Sequence, residues 1–484
     1  MNKTTANFLI IDIGTGNVRA SIVNAAAEVI AIDRQNVNYQ KDEHYSDALA
    51  LDPNQLWNQI KSLCKNVTSA VPSKSIQGIT VSSQREGIIL VDKNLQAITG
   101  LPNHDHRGKD WEDQISSKEF IYEKCGRYPS SIFSALKMVG FRDVYPDVYT
   151  SIGHVLSISD WVQYKLCNVM GYEHSQASET LLYDVELMKW SKNLCALFEI
   201  DIRLLPPLHS SGDVLGPILP ELSHDLNLAP NTPVIVGGAD TQLAIKSTRP
   251  KLRDIVIVAG TTTPLVTLTK DYIVDKNQKT WTNRHVEKDL YILETNAGVT
   301  GLNYQRIKEI FYPNEGYDII EQELDLSKHN LCSAALGSII SNEDKSITRG
   351  GFIIDTPISH ALTRVDFVKA AFIDIGNCIE KNLSYLQTVN PNNTTYVWGC
   401  GGGFQSPYFC QLLANLLHKK IRIRSGFQHA SIIGAMLICC EALGIQKPLL
   451  EDEIIEYLPN PTTQLAKQNE MWQETRNALK QTFN

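Results

Sequence analysis

The chain reads as an α/β protein of two domains, and three observations predict it. Its 484 residues exceed what one hydrophobic core usually supports. Short apolar strand-like runs alternate with longer helical periods in both halves. A strand, glycine turn, strand unit near the N-terminus returns just past the middle.

The first unit is Phe8-Leu-Ile-Ile-Asp12, then Gly14-Thr15-Gly16, then Val18 to Val23, which predicts a hairpin tied by glycines. Its counterpart is Ile255 to Ala259, then Gly260-Thr261-Thr262, then Leu265 to Leu268. Between them, Gly78-Ile-Thr-Val-Ser82 and Pro233 to Asp240 read as strands, and Pro206-Pro207 and Gly212 to Pro220 as loops. Helical periods follow over Asp366 to Leu386, Ser406 to Leu417 and Glu470 to Thr482. The domain boundary is placed near residues 245–250, giving domains 1–246 and 247–484.

Composition narrows the function. With 43% hydrophobic and 20% charged residues and a net charge of −8, the chain is an ordinary globular protein and not a dedicated binder of nucleic acid or membrane surfaces. The apolar run in MNKTTANFLIIDIG breaks at Asp12, too early for a signal peptide, and no run approaches the roughly 20 residues of a membrane span. Ten cysteines show neither CxxC nor paired-histidine spacing, so they read as reduced, mostly buried thiols of a cytoplasmic protein.

Asp12-Ile-Gly-Thr-Gly16 joins a turn that lets backbone approach phosphate oxygens to a carboxylate that can reach a magnesium ion through water, with Arg19 adding positive charge. An ordinary hairpin turn explains the same residues equally well. Gly260-Thr261-Thr262 carries the same logic. Gly401-Gly402-Gly403, between the strand at Val397 and a helix that Ser406 or its neighbours would cap, offers bare backbone to a nucleotide base or ribose; close helix–sheet packing is the structural alternative.

Asp240 carries the most weight. An acid that follows Gly237-Gly238-Ala239 at the end of a buried strand is open to a substrate hydroxyl and suited to take its proton, although it also suits a helix N-cap. Arg85 and Glu86, a donor fork beside an acceptor, suit adjacent hydroxyls of a polyol, and Asn103, Asp105 and Arg107 extend the polar set. A surface ion pair is the plain alternative for the Arg-Glu step.

Taken in order, IDIGTGNVRASIV, LDPNQLW, SSQREGII, NHDHRG, SISDWVQYKL, PVIVGGADTQLA, VIVAGTTTPLV, GGFIIDTPISHALTRVDFVKAAF, GCGGGFQSPYFCQLLANLL and ASIIGAML resemble the FGGY carbohydrate kinase family over nearly the whole chain. The resemblance implies two actin-like ATPase (ribonuclease H-like) domains with an interdomain cleft. It implies an ATP- and Mg2+-dependent phosphotransferase acting on an alcohol group of a small sugar-like acceptor.

It also assigns roles. Asp240 is the expected base, Asp12 and Asp240 the magnesium carboxylates, and Gly14, Thr15, Gly16, Arg19, Gly260, Thr261, Thr262, Gly401, Gly402, Gly403 and Ser406 the ATP contacts. Arg85, Glu86, Asn103, Asp105, Asp240, Thr241 and Gln242 are the expected acceptor contacts. A homodimer is an allowed assembly.

Within the family, REG at 85–87 looks like glycerol kinases and autoinducer-2 kinases more than xylulokinases, and Asn103, where glycerol kinases usually carry Trp, resembles the autoinducer-2 branch. ISDW, DTQL and Asn283-Arg-His-Val point the same way. The expected acceptor is therefore 4,5-dihydroxy-2,3-pentanedione, with glycerol or another small polyol or ketose as the alternative, and a non-catalytic nucleotide sensor further behind because Asp240 is retained. Three positions depart from the family pattern: Thr262 for Ser, Asn415 for Asp and Gly140 for Trp.

Overall fold

The computed structural model describes residues 6–327, 329–446 and 454–483. The chain forms two compact units. The first runs to Ser247 and adds Lys270–Ile292 and a segment that begins at His429. The second comprises Thr248–Thr269, Leu293–Gln428 and the C-terminal stretch from 454.

The six-stranded sheet of the first unit has the order Val214–Pro217, Pro233–Ala239, Ile76–Ser83, Asn7–Ile13, Asn17–Asn24, Val29–Asn36. Ile76–Ser83 runs parallel to both Asn7–Ile13 and Pro233–Ala239, and the remaining pairs are antiparallel. Every residue of Asn7–Ile13 is buried, as a strand covered on both faces requires, whereas Val29–Asn36 at the edge alternates half-buried and exposed. Parallel pairing brings the carboxyl ends of three strands to one edge: Asp12 lies opposite Ser82, and Ala239 opposite Ser83. The residues that leave that edge are therefore Gly14, Arg85 and Asp240 with their neighbours.

Helices cover both faces of this sheet. Pro53–Thr68 is capped by Asp52, which accepts from the Asn54 and Gln55 amides, and it turns Leu56, Ile60, Leu63 and Val67 inward at helical spacing. Ala430–Ala442, apolar almost all round, packs with Phe8, Ile10, Ile235 and Leu243. A smaller sheet orders Ala97–Leu101, Ile88–Asp92 and Ile152–Ser157.

In the second unit the strands follow the order Tyr291–Val299, Thr262–Thr269, Ile255–Val258, Tyr396–Cys400, Lys420–Arg424, Ile454–Tyr457. Ile255–Val258, Tyr396–Cys400 and Lys420–Arg424 are parallel, and an antiparallel strand flanks them on either side. This sheet has a seventh strand, Trp281–Arg284, beyond Tyr291–Val299, and its other six match the order of the first sheet. The short likeness between the two glycine hairpins thus extends to a repeated topology, with Gly14 N donating to Asn17 O at 2.9 Å and Gly260 N to Thr262 O at 3.0 Å. Helix Arg364–Val389 opens with a capping box between Thr363 and Asp366, and helix Pro407–Leu417 is capped by the Ser406 hydroxyl, which accepts from the Phe409 amide at 3.1 Å.

All ten cysteines are free and buried. No helix among the described residues is long and apolar enough to cross a membrane.

Candidate active site

The carboxyl edge of the first unit carries two carboxylates, Asp12 and Asp240. Asp12 is 1% exposed. Its Oδ2 accepts from Arg19 Nη2 at 2.6 Å and from Ser431 Oγ at 3.0 Å, while among the described residues Oδ1 accepts no hydrogen bond. Half-buried Asp240 accepts at Oδ1 from the Thr241 amide at 2.6 Å and the Thr241 hydroxyl at 3.2 Å. Burial, then the Asp12 charge, push the Asp240 carboxyl up to about 6, with Arg85 opposing the shift. A carboxylate poised there can accept a proton from an alcohol and is still ionised at neutral pH. Arg19 is committed to Asp12, so its charge serves the carboxylate before it serves any phosphate.

Arg85-Glu86-Gly87 is where the chain leaves the six-stranded sheet for the three-stranded one. The crossing explains the charged step. Glu86 takes φ 62°, and a Cβ on Gly87 would stand 2.7 Å from Ile158 Cδ1. Arg85 and Glu86 are each 8% exposed, with Arg85 Nε 3.8 Å from Glu86 Oε1 and Arg85 Nη1 3.9 Å from Glu179 Oε1.

Glu179 also receives Arg127 Nη2 at 2.6 Å, and the Arg127 guanidinium lies over the edge-to-face pair of Phe133 and Trp281, 5.1 and 4.8 Å from their centroids. Fully buried Lys137 donates from Nζ to the Glu86 carbonyl at 2.9 Å and the Asn103 carbonyl at 3.2 Å, and burial lowers its ammonium to about 8. Sequence reasoning did not assign Glu179, Arg127 or Lys137 to the site. Their only signal was charge at positions whose neighbours are apolar or small.

The N-x-D-x-R segment divides. Asn103 Nδ2 donates to Thr15 Oγ1 at 2.8 Å, which ties it to the first glycine turn, and Tyr39 Oη donates to the Thr15 carbonyl at 2.6 Å. Asp105, expected to contact the acceptor, is fully buried: Oδ1 accepts from the Leu49 amide at 2.9 Å and Oδ2 from Arg107 Nε at 2.8 Å. The structure therefore corrects that expectation, because both oxygens brace a loop. At Gly140, which departs from the family pattern, a Cβ would stand 2.3 Å from the Arg107 carbonyl oxygen, so the glycine lets its helix lie against that backbone. Thr241 holds Asp240 as described, whereas Gln242 is fully buried in the helix and its amide makes no hydrogen bond among the described residues. Asn283, Arg284 and His285 are likewise buried, and Arg284 stacks 4.4 Å from the centroid of Tyr291.

The second unit holds a cavity of about 450 Å3. Gly260, Thr261, Gly402, Gly403 and Ser406 line it, along with Thr263, Thr300 and Gly301. Thr262 is not among the lining residues: strand alternation makes Thr263 the second hydroxyl at the cavity, where its Oγ1 lies 2.6 Å from Thr300 Oγ1. Gly401 is not a lining residue either. It supplies the bend beneath the turn at φ 93°, where a Cβ would stand 2.5 Å from the Ala259 carbonyl oxygen. The first-unit turn is more open, since a Cβ on Gly16 would meet nothing within 4 Å.

Part of the lining is aromatic, and sequence reasoning missed it. Tyr304, Tyr317, Phe372 and Phe409 form it; Tyr304 lies 4.6 Å and Phe409 5.1 Å from Phe372, centroid to centroid. A cavity lined by both aromatic rings and bare glycine backbone suits a planar heterocycle. Asn415 lies elsewhere, accepting from Gln411 Nε2 and the Asn460 amide.

Comparison with known proteins agrees with this geometry. A family model described as "FGGY family of carbohydrate kinases, N-terminal domain" matches residues 7–246. The chain is 43% identical over 449 residues to the putative sugar kinase YoaC of Bacillus subtilis, covering 92% of each chain. It is 23% identical over 505 residues to the autoinducer-2 kinase of Salmonella typhimurium, covering 96% of this chain and 92% of that one. Among solved structures, the xylulose kinase of Lactobacillus acidophilus superposes with a TM-score of 0.85 at 18% identity, covering 99% of both chains. Plasmodium falciparum glycerol kinase with ADP does so at 0.83 and 16%, covering 99% of this chain and 98% of that one.

Proposed function

Because the chain belongs to the FGGY family of carbohydrate kinases, with its two-domain α/β actin-like ATPase fold, and is thereby a phosphotransferase with an alcohol group as acceptor, we propose that it transfers the γ-phosphoryl group of ATP to a primary hydroxyl of a small sugar-like acceptor, with Asp240 as the base. The observation that carries this reading is the raised carboxyl of Asp240, on the strand edge it shares with Asp12 and beside Arg85 and Glu86.

Phosphoryl transfer asks little covalent chemistry of a protein and much positioning and charge compensation. Asp240 orients the acceptor hydroxyl and takes its proton as the new P–O bond forms. Arg85 donates to acceptor oxygens and Glu86 accepts from an acceptor hydroxyl, with Glu179 and Lys137 setting where each stands. The glycine turns at 14–16 and 260–261 receive phosphate oxygens through backbone amides. The aromatic cavity of the second unit takes the adenosine.

The unpartnered Asp12 oxygen, with Asp240 close enough to feel its charge, is a donor set that fits Mg2+ completed by phosphate oxygens and water. Bound there, the ion would supply charge neutralisation for the phosphates.

For the acceptor we propose 4,5-dihydroxy-2,3-pentanedione, on the strength of Asn103 beside the Arg-Glu step and the full-length similarity to autoinducer-2 kinases. Glycerol or another small polyol or ketose is the second reading, favoured by the folds shared with glycerol and xylulose kinases. Magnesium-dependent ADP release with purified protein, run against the dione, glycerol, erythritol, ribulose, xylulose and gluconate, decides between them. Turnover on the dione alone supports the first reading. Preference for a polyol or ketose replaces the acceptor and keeps the chemistry, whereas ADP release that no acceptor stimulates would sink the transfer reading.

A further inference from the structure

A second cavity of the second unit, about 490 Å3, shares no lining residue with the aromatic one. It sits on one face of the sheet formed by Tyr396–Cys400, Lys420–Arg424 and Ile454–Tyr457. Register places Trp398 beside Arg422, Arg422 beside Glu456 and Arg424 beside Ile454. The alternate residues Val397, Ile421 and Ile423 are buried on the opposite face.

The charged side chains of this cavity are built in. Arg422 Cζ lies 4.0 Å from the Tyr396 ring centroid, and Arg424 Cζ 4.5 Å from that of Trp398. Both rings are fixed from below by Asp254, whose Oδ1 accepts from Tyr396 Oη at 2.8 Å and Oδ2 from Trp398 Nε1 at 3.0 Å and the Lys251 amide at 2.9 Å. Asp254 thus orients the rings through neutral donors. Arg422 is anchored through Nε to Glu456 at 2.7 Å, and Arg424 through Nε to the Thr248 carbonyl at 2.7 Å.

With Arg249 and Lys251, four basic side chains face two carboxylates, in a chain whose net charge is −8. A guanidinium held over a ring and tethered through Nε has already lost much of the freedom that binding an anion would cost it. Stacked arginines around an open cavity are suited to phosphate, whose oxygens match the guanidinium fork.

We propose that this cavity is a second small-molecule site, separate from the kinase chemistry, that binds the phosphate group of inorganic phosphate or of a phosphorylated metabolite. The proposal does not rest on the kinase reading, because none of these residues takes part in it.

The test is calorimetric titration of the full chain at low ionic strength with glucose 6-phosphate, inorganic phosphate and glucose, with ADP saturating to fill the aromatic cavity. Indole emission is followed in parallel. We expect saturable binding of glucose 6-phosphate and none of glucose. In Arg422→Met/Arg424→Met that binding weakens about tenfold or more, since charge-assisted hydrogen bonds are lost. ADP affinity is unchanged.

Glu456→Gln removes an opposing carboxylate and tightens binding several-fold, an effect that a purely structural stack would not produce. If the double variant does not retain its thermal shift with ADP, Arg422→Met alone serves in its place, because it leaves Arg424 on Trp398. Inorganic phosphate binding as tightly as the ester identifies the free ion as the ligand, and weaker binding identifies an ester. Absence of saturable binding, or equal binding by wild type and the arginine variants, overturns the proposal.

Discussion

The Asn103 side-chain amide donates to the Thr15 hydroxyl at 2.8 Å, so a residue proposed for the acceptor side and a residue of the first glycine turn share one hydrogen bond. Asn103 is also held through its backbone, its amide donating to Gln84 Oε1 at 3.0 Å and its carbonyl accepting from Lys137. Replacing Asn103 with Ala removes the link to Thr15 and the Oδ1 contact with His104 Nδ1 at 2.9 Å, and leaves both backbone bonds in place. The expected result is a several-fold rise in KM for both acceptor and ATP with little change in thermal stability, read from steady-state kinetics on the best acceptor. A change confined to one KM would show that the link does not join the two functions.

Asp240 sets a pH dependence. Its carboxyl lies near 6, above the ordinary aspartate value, so the ionised base disappears as pH falls through 6, and kcat/KM should fall about tenfold per pH unit below that point. The same shift has a stability consequence of opposite sense. The folded state holds this proton more tightly than the unfolded chain, so its contribution is fully present below the unfolded value and is lost as pH rises through 6. Asp240→Asn should therefore lower turnover by about 100- to 10,000-fold while raising Tm at pH 7.5. Near-normal turnover in this variant removes Asp240 from the role of base.

Glu179 joins two buried arginines. Glu179→Gln keeps the shape and removes the charge that pairs with Arg127, leaving a buried cation against two rings with its partner neutralised. Breaking a buried pair from one side typically costs about 3–5 kcal/mol. Chemical denaturation should show a loss of that order, and acceptor KM should rise as Arg85 loses the same carboxylate. ADP affinity, set in the other unit, should stay constant.

Gly301 packs against the second glycine turn, where a Cβ would stand 2.0 Å from the Gly260 carbonyl oxygen. Gly301→Ala must push that turn, because backbone cannot swing aside as a side chain can. We expect ADP binding, measured by calorimetry, to weaken about tenfold or more, in line with the sensitivity of such sites to displacements near 1 Å. Gly16→Ala, with open space around its Cβ, should leave stability unchanged and affect only ATP kinetics.

Much of this was legible in local pattern. Strand, glycine turn and strand are short-range statements, so the hairpins at Gly14 and Gly260, the strand that ends at Ala239 and the helix capped by Ser406 follow from residue types a few positions apart. The weight placed on Asp240 has the same origin, an acid directly after a buried strand. What lay beyond reach depended on partners far along the chain. Asp105 was expected at the acceptor because its neighbours are polar, but Leu49 and Arg107 consume both its oxygens. Thr262 and Thr263 are equivalent in composition, and only the pleat turns Thr263 toward the cavity.

The sequence by itself determined the class of the protein, the repeated hairpins and the acid at the strand end, because each depends on backbone propensities acting over a few residues. The tertiary structure alone decided which charges meet. Glu179 reaches Arg85 and Arg127 across 94 and 52 positions of chain, and the Tyr304, Phe372 and Phe409 wall assembles from three separate helices. Such contacts are set by which elements share a core. Burial then makes them strong, since a charge removed from water must find its partner wherever the fold has placed it.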